Sequence, residues 1–414
     1  MKRALLIAFH YPPFRKSSGI QRTLAFSRYL PEYGWEPIVL TAHPRAYHER
    51  GDDQLADVPP GMPTHRAFAL DAARHLAFRG AYAKATALPD RWSSWALGAI
   101  PSGLWIVGRD HPHVLWSTYP IATAHLIGSG LHALSGVPWV ADFRDSMTEP
   151  DYPADPVVRR SYLGIERRTV SRADRVVFTT PGALRMYAER YPDVPASRWA
   201  VIPNGYDEDL FADAEAGARL RKRPRSPIVL VHSGILYPSE RDPRAFFDAI
   251  ATLRRDGRIS ASTLQVILRA TGFDDQYRPM LREAGIDDIV RLEPAVAYRA
   301  ALAEMLDADG LLLFQASNSN HQIPAKVYEY LRARRPIFAM TDPTGDTASV
   351  LAAAGIDAVV PIDSAPRILD GLVRLLEAIR SGTAALPGPE EALRHSRRAR
   401  TADLAALFDA VARD

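Results

Sequence analysis

Short, almost uninterrupted apolar runs recur along the chain, each followed by a longer stretch of helical character. In the first half they are residues 4–8, 37–40, 114–116, 139–141 and 176–178. In the second half they are residues 228–231, 264–268, 289–292, 311–314, 337–340 and 358–360. A strand apolar on both faces needs cover on both sides, so strands of this kind alternating with helices predict parallel sheets sandwiched by helices. Two such series in a chain of 414 residues, too long for one hydrophobic core, predict two doubly wound α/β domains. The break falls after Val201–Phe211, where an Asn-Gly turn ends a strand, and a basic run (residues 219–225) reads as a solvated linker. The expected domains are 1–205, 206–395 and a last helix, 396–414, with an apolar face at Leu404, Leu407, Phe408 and Val411.

The absence of cysteine excludes a disulfide framework and thiolate metal sites and fits a cytoplasmic protein. The start, MKRALLIAFHYPP, reads as a first strand rather than a leader, because its apolar run is short and lacks a small-residue cleavage site. Residues 1–205 hold 24 Lys+Arg against 18 Asp+Glu, a net +6. Subtraction from the totals leaves 27 against 30, or −3, for the remainder. An anionic partner for the first half, lipid headgroups or phosphates, is one reading of that asymmetry, and surface composition without meaning is the other. Residues 88–110 place Trp92, Trp95 and Trp105 among small and apolar residues between Arg91 and Arg109. That pattern suits a segment at the inner face of an anionic membrane, or tryptophans filling the interior with Pro101 breaking the stretch. Nothing points to nucleic acid as a partner.

In doubly wound sheets ligands sit beyond the carboxyl ends of the strands, in a cleft where two such domains face each other. The loop after the first strand contains Arg15, Lys16, Ser17, Ser18 and Gly19 ahead of a helix with Arg22, a set able to approach and hold an anion. It is not G-x-G-x-x-G, which argues against a nicotinamide cofactor. After the first strand of the second domain, Ser233-Gly234 again permits close backbone approach. Arg241 precedes a helix expected to open with Asp242 as its cap and Pro243 at its first position. The third site is HQIPAKVYEYLRARRP, residues 321–336. Pro324 and Ala325 read as the start of a helix whose free N–H groups favour an anion. Lys326 adds a full charge there, and Glu329, one turn on, suits the paired hydroxyls of a ribose. With Gly234 and Arg241 these residues form a candidate nucleotide-diphosphate site. Metal is not expected, since Asp207-Glu208-Asp209 and Asp307-Ala308-Asp309 fall away from the strand ends where a metal would act.

The order of these motifs resembles glycosyltransferase family 4, of the type that builds surface polysaccharides. They run from "YPP…SGIQR" through "NGYD" and "HSGILY…RDP" to "IPAKVYEYLRARRPI", with "DPTGDTASVL" behind them, and span nearly the whole chain. The resemblance implies a GT-B fold of two Rossmann-like domains facing a cleft, with the C-terminal helix returning to the first domain. It implies a retaining transfer from a UDP- or GDP-sugar, held by the second domain, to a glycan or lipid-linked acceptor on the first. No cofactor is implied. By the same resemblance Gly19, Ser233, Gly234, Arg241, Pro324, Ala325 and Lys326 hold the donor diphosphate and Glu329 its ribose. The base lies near Arg291-Leu292-Glu293, and Arg144, His321 and Arg241 are the catalytic candidates. His321 stands where the family's E-x7-E pattern has its first acid, Ile235 where an arginine is usual, and Arg144 about where relatives keep a histidine. Two alternatives stay open on the same architecture. One is a nucleotide-sugar 2-epimerase with Asp142 and Asp145 as acid and base, and the other is a chain that binds donor or partner without turnover.

Overall fold

The computed structural model describes residues 1–14, 19–51, 54–150, 152–217 and 226–412. Arg15 to Ser18 and the basic run 219–225 lie outside the described residues. The chain divides into two compact units, residues 1–204 with 397–414, and residues 205–396.

The strands of unit 1 are β1 (Lys2–Ile7), β2 (Trp35–Ala42), β3 (Thr64–Ala67), β4 (Val114–Thr118), β5 (Trp139–Arg144), β6 (Arg175–Phe178) and β7 (Trp199–Val201). Its helices before the crossing to unit 2 are α1 (Gly19–Tyr29), α2 (Ala72–His75), α3 (Trp95–Asp110), α4 (Ala122–Ser135), α5 (Pro156–Arg172) and α6 (Pro181–Arg190). Every pairing is parallel and the order is β3-β2-β1-β4-β5-β6-β7, so the chain reverses direction across the sheet between β1 and β4. The cause is visible in β4 and β5, which are buried along their whole length and must be covered on both faces. One face packs Trp95, Trp139, Phe143 and Tyr187 under α3 to α6. The other packs Trp35 and Trp116 against α1 and the chain's last helix.

Unit 2 contains α7 (Glu208–Gly217), β8 (Ile228–Ser233), α8 (Arg244–Arg255), β9 (Leu264–Arg269), α9 (Asp274–Glu283), β10 (Val290–Glu293), α10 (Tyr298–Asp307) and β11 (Gly310–Phe314). It continues with α11 (Lys326–Ala333), β12 (Ile337–Met340), α12 (Asp346–Ala353), β13 (Val359–Val360), α13 (Ala365–Ser381) and α14 (Pro389–Arg394). Its parallel sheet runs β10-β9-β8-β11-β12-β13, with the reversal between β8 and β11. The final helix, α15 (Arg397–Val411), belongs to unit 1. Its Leu404 and Phe408 are fully buried, with the Phe408 ring 5.2 Å from Trp35. Each such side chain contributes about 1.5–3 kcal/mol by leaving water.

Two expectations fail for local reasons. Strand β3 was not foreseen, because THRA is short, polar and at the sheet edge. Pro101 does not break its stretch: α3 runs through it, and the carbonyl it leaves unpaired belongs to Leu97, which is exposed to water. The three tryptophans divide. Trp95 is buried, Trp92 is half-buried with its indole N–H on the Ala46 carbonyl, and Trp105 is exposed beneath the Arg109 guanidinium. Among the described residues no helix is long and apolar enough to cross a membrane.

Candidate active site

In unit 2 the loops after β8, β9, β11 and the start of α11 meet at the carboxyl edge of the sheet. Strand β8 ends at Ser233, and Gly234 follows at φ 125°, a conformation that side chains oppose. Its N–H donates to the Arg269 carbonyl at 2.9 Å, so the ladder to β9 holds the turn. A Cβ at Gly234 would stand 2.7 Å from Lys326 Nζ. The glycine is therefore required twice, for its backbone angle and for the space the lysine fills.

Lys326 is the first residue of α11, and Val327, Tyr328, Tyr330 and Leu331 bury the helix's apolar face. The expected start at Pro324 comes two residues late. Pro324 and Ala325 form a tighter turn, their carbonyls accepting from Val327 and Tyr328. Two residues that sequence reasoning passed over position the lysine. His232, fully buried, has Nδ1 2.9 Å from the Leu312 carbonyl. Its Nε2 lies 3.2 Å from both the Gly234 carbonyl and Lys326 Nζ, so the ring bridges the strand, the glycine turn and the lysine. Burial, then the Lys326 charge, holds His232 well below the usual histidine range, so the ring stays neutral. Tyr330 donates to the Leu312 carbonyl (3.3 Å) and accepts from the Ser233 N–H (3.4 Å), fastening α11 to β8 and β11. Burial, then the Arg241 charge, pushes Lys326 down to about 7, with Glu329 opposing. Two cations that repel each other behind a glycine turn are arranged for an anion.

Arg241 is half-buried, its guanidinium donating to the Ile235 carbonyl at 3.1 Å and lying 5.6 Å from the Tyr237 ring. The helix after it differs from expectation. Pro243, not Asp242, occupies the cap, because its carbonyl accepts the first helical bond from Phe247, and Asp242 instead binds the Arg244 N–H and guanidinium. The loop after β11 is tied to this one. Ala316 N–H donates to Glu240 (2.7 Å) and Asn318 to Ser239 (2.9 Å), while the buried Gln315 amide donates to Ser319 and Gln322 carbonyls at 2.8 Å. His321 is half-buried in that loop, its Nε2 3.5 Å from the Gln322 amide. Glu329, half-buried one turn beyond Lys326, accepts from the Tyr298 hydroxyl at 2.5 Å, a partner not found by reading the sequence.

A cavity of about 630 Å³ opens beside the loops after β9 and β10, lined by Ala270, Gly272, Phe273, Glu293 and Pro294 among others. Of the expected base-binding stretch only Glu293 borders it. Arg291 and Leu292 line a separate hollow with Arg278 and Arg282. Among the described residues no group of three or more His, Asp or Glu side chains converges as metal ligands do. Glu208 pairs with Arg332, and Asp309 accepts the Val229 N–H.

Unit 1 corrects two expectations. Gly19 opens α1, but Arg22 is not available to a ligand. It holds Asp142 through Nε (2.8 Å) and Nη2 (3.2 Å) and the carbonyls of Ile202 and Pro203 at 2.9 and 3.0 Å, all inside the unit. The same pair removes Asp142 as an acid or base for an epimerase. Arg144, at the end of β5, is buried with φ 58°, and its carbonyl accepts from Thr179. His10, after β1, is buried and stacked on Phe14, and burial followed by the Arg144 charge pushes it down to about 3. Arg144 lies in unit 1, whereas His321 and Arg241 lie in unit 2.

Residues 19–205 match the family described as "Glycosyl transferase 4-like domain". No curated protein sequence matches the chain. Among solved structures it is similar to sucrose-phosphate synthase from Thermosynechococcus elongatus, at 16% identity and a TM-score of 0.67 over 99% of both chains. It is similar to Anabaena HepE in complex with UDP-glucose, at 12% identity and 0.63 over 99% of this chain and 100% of that one. The third is a UDP-forming trehalose-phosphate synthase from Burkholderia xenovorans, in complex with glucose-6-phosphate, at 13% identity and 0.61 over 99% and 100%.

Proposed function

We propose that the chain, whose residues 19–205 match the glycosyl transferase 4-like domain family and whose two units follow the GT-B plan, is a glycosyltransferase that moves a sugar from a UDP-sugar to a glycan or lipid-linked acceptor with retention of configuration. The observation behind the donor assignment is the Lys326 amine packed against the Gly234 turn, with Glu329 one turn further along α11. Lys326, Arg241 and the N–H groups at the start of α11 hold the diphosphate, and Glu329, oriented by Tyr298, holds the ribose. UDP is favoured over GDP because HepE is described with UDP-glucose and the trehalose-phosphate synthase as UDP-forming. The C1–oxygen bond to the diphosphate breaks while the acceptor oxygen bonds C1 on the same face, and its proton passes to the departing diphosphate. Lys326 and Arg241 stabilise the charge that develops there. His321 faces the donor sugar in this reading. An acceptor in surface-polysaccharide assembly, presented at a membrane, fits Leu97 and Trp105 exposed on α3 with Arg109 beside them.

Donor turnover by single variants tests the assignment. Glu329→Ala removes charge-assisted hydrogen bonds worth about 1.5–3 kcal/mol, so KM for the UDP-sugar rises about 10- to 100-fold. Arg241→Ala lowers kcat as well, because it acts on the leaving group. Near-normal kinetics in both would end the donor assignment.

A further inference from the structure

Unit 1 retains a buried cation with no ion-pair partner among the described residues. Arg144 is 7% exposed, its Nε has no hydrogen-bond partner, and no carboxylate pairs with it among the described residues. Asp142 is bound on both oxygens by Arg22, and Asp145, exposed, attracts Arg144 through space without forming an ion pair with it. The backbone at Arg144 is left-handed (φ 58°) in a residue that is not glycine, and Thr179 holds its carbonyl there at 2.8 Å. A fold keeps strain and a buried guanidinium with an unbonded Nε at one residue when a ligand completes the arrangement. The residue ends β5, one strand from the β1/β4 reversal, where doubly wound sheets bind their ligands. Its neighbour His10, depressed by burial and then by the Arg144 charge, is neutral and adds no second cation there.

We infer that the acceptor carries an anionic group, a phosphate or a carboxylate, and that the Arg144 guanidinium receives it. The planar fork of arginine matches two oxygens of either group at once, which a lysine does not. This rests on the transferase reading, in which unit 1 holds the acceptor. Glycan phosphates and uronic acids share the chemistry, and the probes separate them.

The experiment is calorimetric titration of full-length protein, saturated with UDP to occupy unit 2, using glucose 6-phosphate, glucuronate and the neutral methyl glucoside. At least one anionic sugar binds about tenfold or more tightly than the neutral one. Arg144→Gln abolishes that preference and Arg144→Lys keeps part of it. Preference for the phosphate identifies a phosphorylated acceptor, and preference for glucuronate a uronate. Equal binding of all three sugars, or a preference that survives in Arg144→Gln, overturns the inference. UDP binding, measured first on every variant, confirms folding and separates the failures. UDP bound with no anionic preference overturns this inference alone, whereas a wild-type protein that does not bind UDP overturns the transferase reading with it.

Discussion

Replacing Lys326 by alanine lowers kcat/KM for the nucleotide sugar by about 10²- to 10³-fold, the usual loss when one preorganised donor to a developing charge is removed. Stability moves the other way. With the folded-state value depressed to about 7 from the usual 10.5, the proton prefers the unfolded chain. The lysine therefore costs stability in full below pH 7, and the cost disappears as pH rises from 7 towards 10.5. Lys326→Ala removes that cost, so the variant melts no lower than wild type at pH 6. A group that is destabilising at rest and needed for turnover is one a catalytic site retains. The same depression predicts that UDP binding at pH 8 draws in about one proton, because the diphosphate restores the ammonium form. Calorimetry in two buffers of different ionisation enthalpy reads the uptake, and in Lys326→Ala it vanishes. A stable, active Lys326→Ala enzyme would contradict the assignment.

The second large effect is structural. Asp142→Asn leaves the Arg22 guanidinium buried without its counter-charge, at 6% side-chain exposure against 0% for the aspartate. Breaking a buried pair in this way costs about 3–5 kcal/mol. For a unit of this size that lowers the melting temperature by about 6–20 °C. The double variant Arg22→Met/Asp142→Leu loses less than the sum of the singles, since no charge is left alone. Differential scanning calorimetry decides it, and a loss of under 1 kcal/mol in Asp142→Asn would show that the pair is not holding the end of unit 1 at Ile202 and Pro203.

That pair also marks where reading the sequence stopped. Arg22 stood in a loop rich in basic residues and was counted towards an anion site, because its partner lies 120 residues away and nothing local announces it. The eleven apolar runs were legible, since burial on both faces leaves an unbroken hydrophobic signature, while β3, polar and at an edge, left none. The placement of Lys326 and Glu329 on one helix was legible for a similar reason. Their spacing puts them one turn apart on one short helix whose other face is apolar. His232, Tyr330 and Tyr298 were not, because each acts through a backbone carbonyl or a distant side chain, and a histidine in a strand or a tyrosine on an apolar helix face reads as ordinary core. Helix starts shifted by one or two residues at Pro243 and Pro324, since proline fixes its own φ but the first accepted bond decides where a helix begins.

The account's central claim is that a nucleoside diphosphate binds unit 2 at the turn after β8 and the start of α11. Hydrogen–deuterium exchange with and without UDP tests it most directly. The account predicts slowed exchange in residues 233–241 and 323–330, with Lys326→Ala abolishing the effect at matched UDP concentration. Protection absent from both stretches, or confined to unit 1, would contradict it.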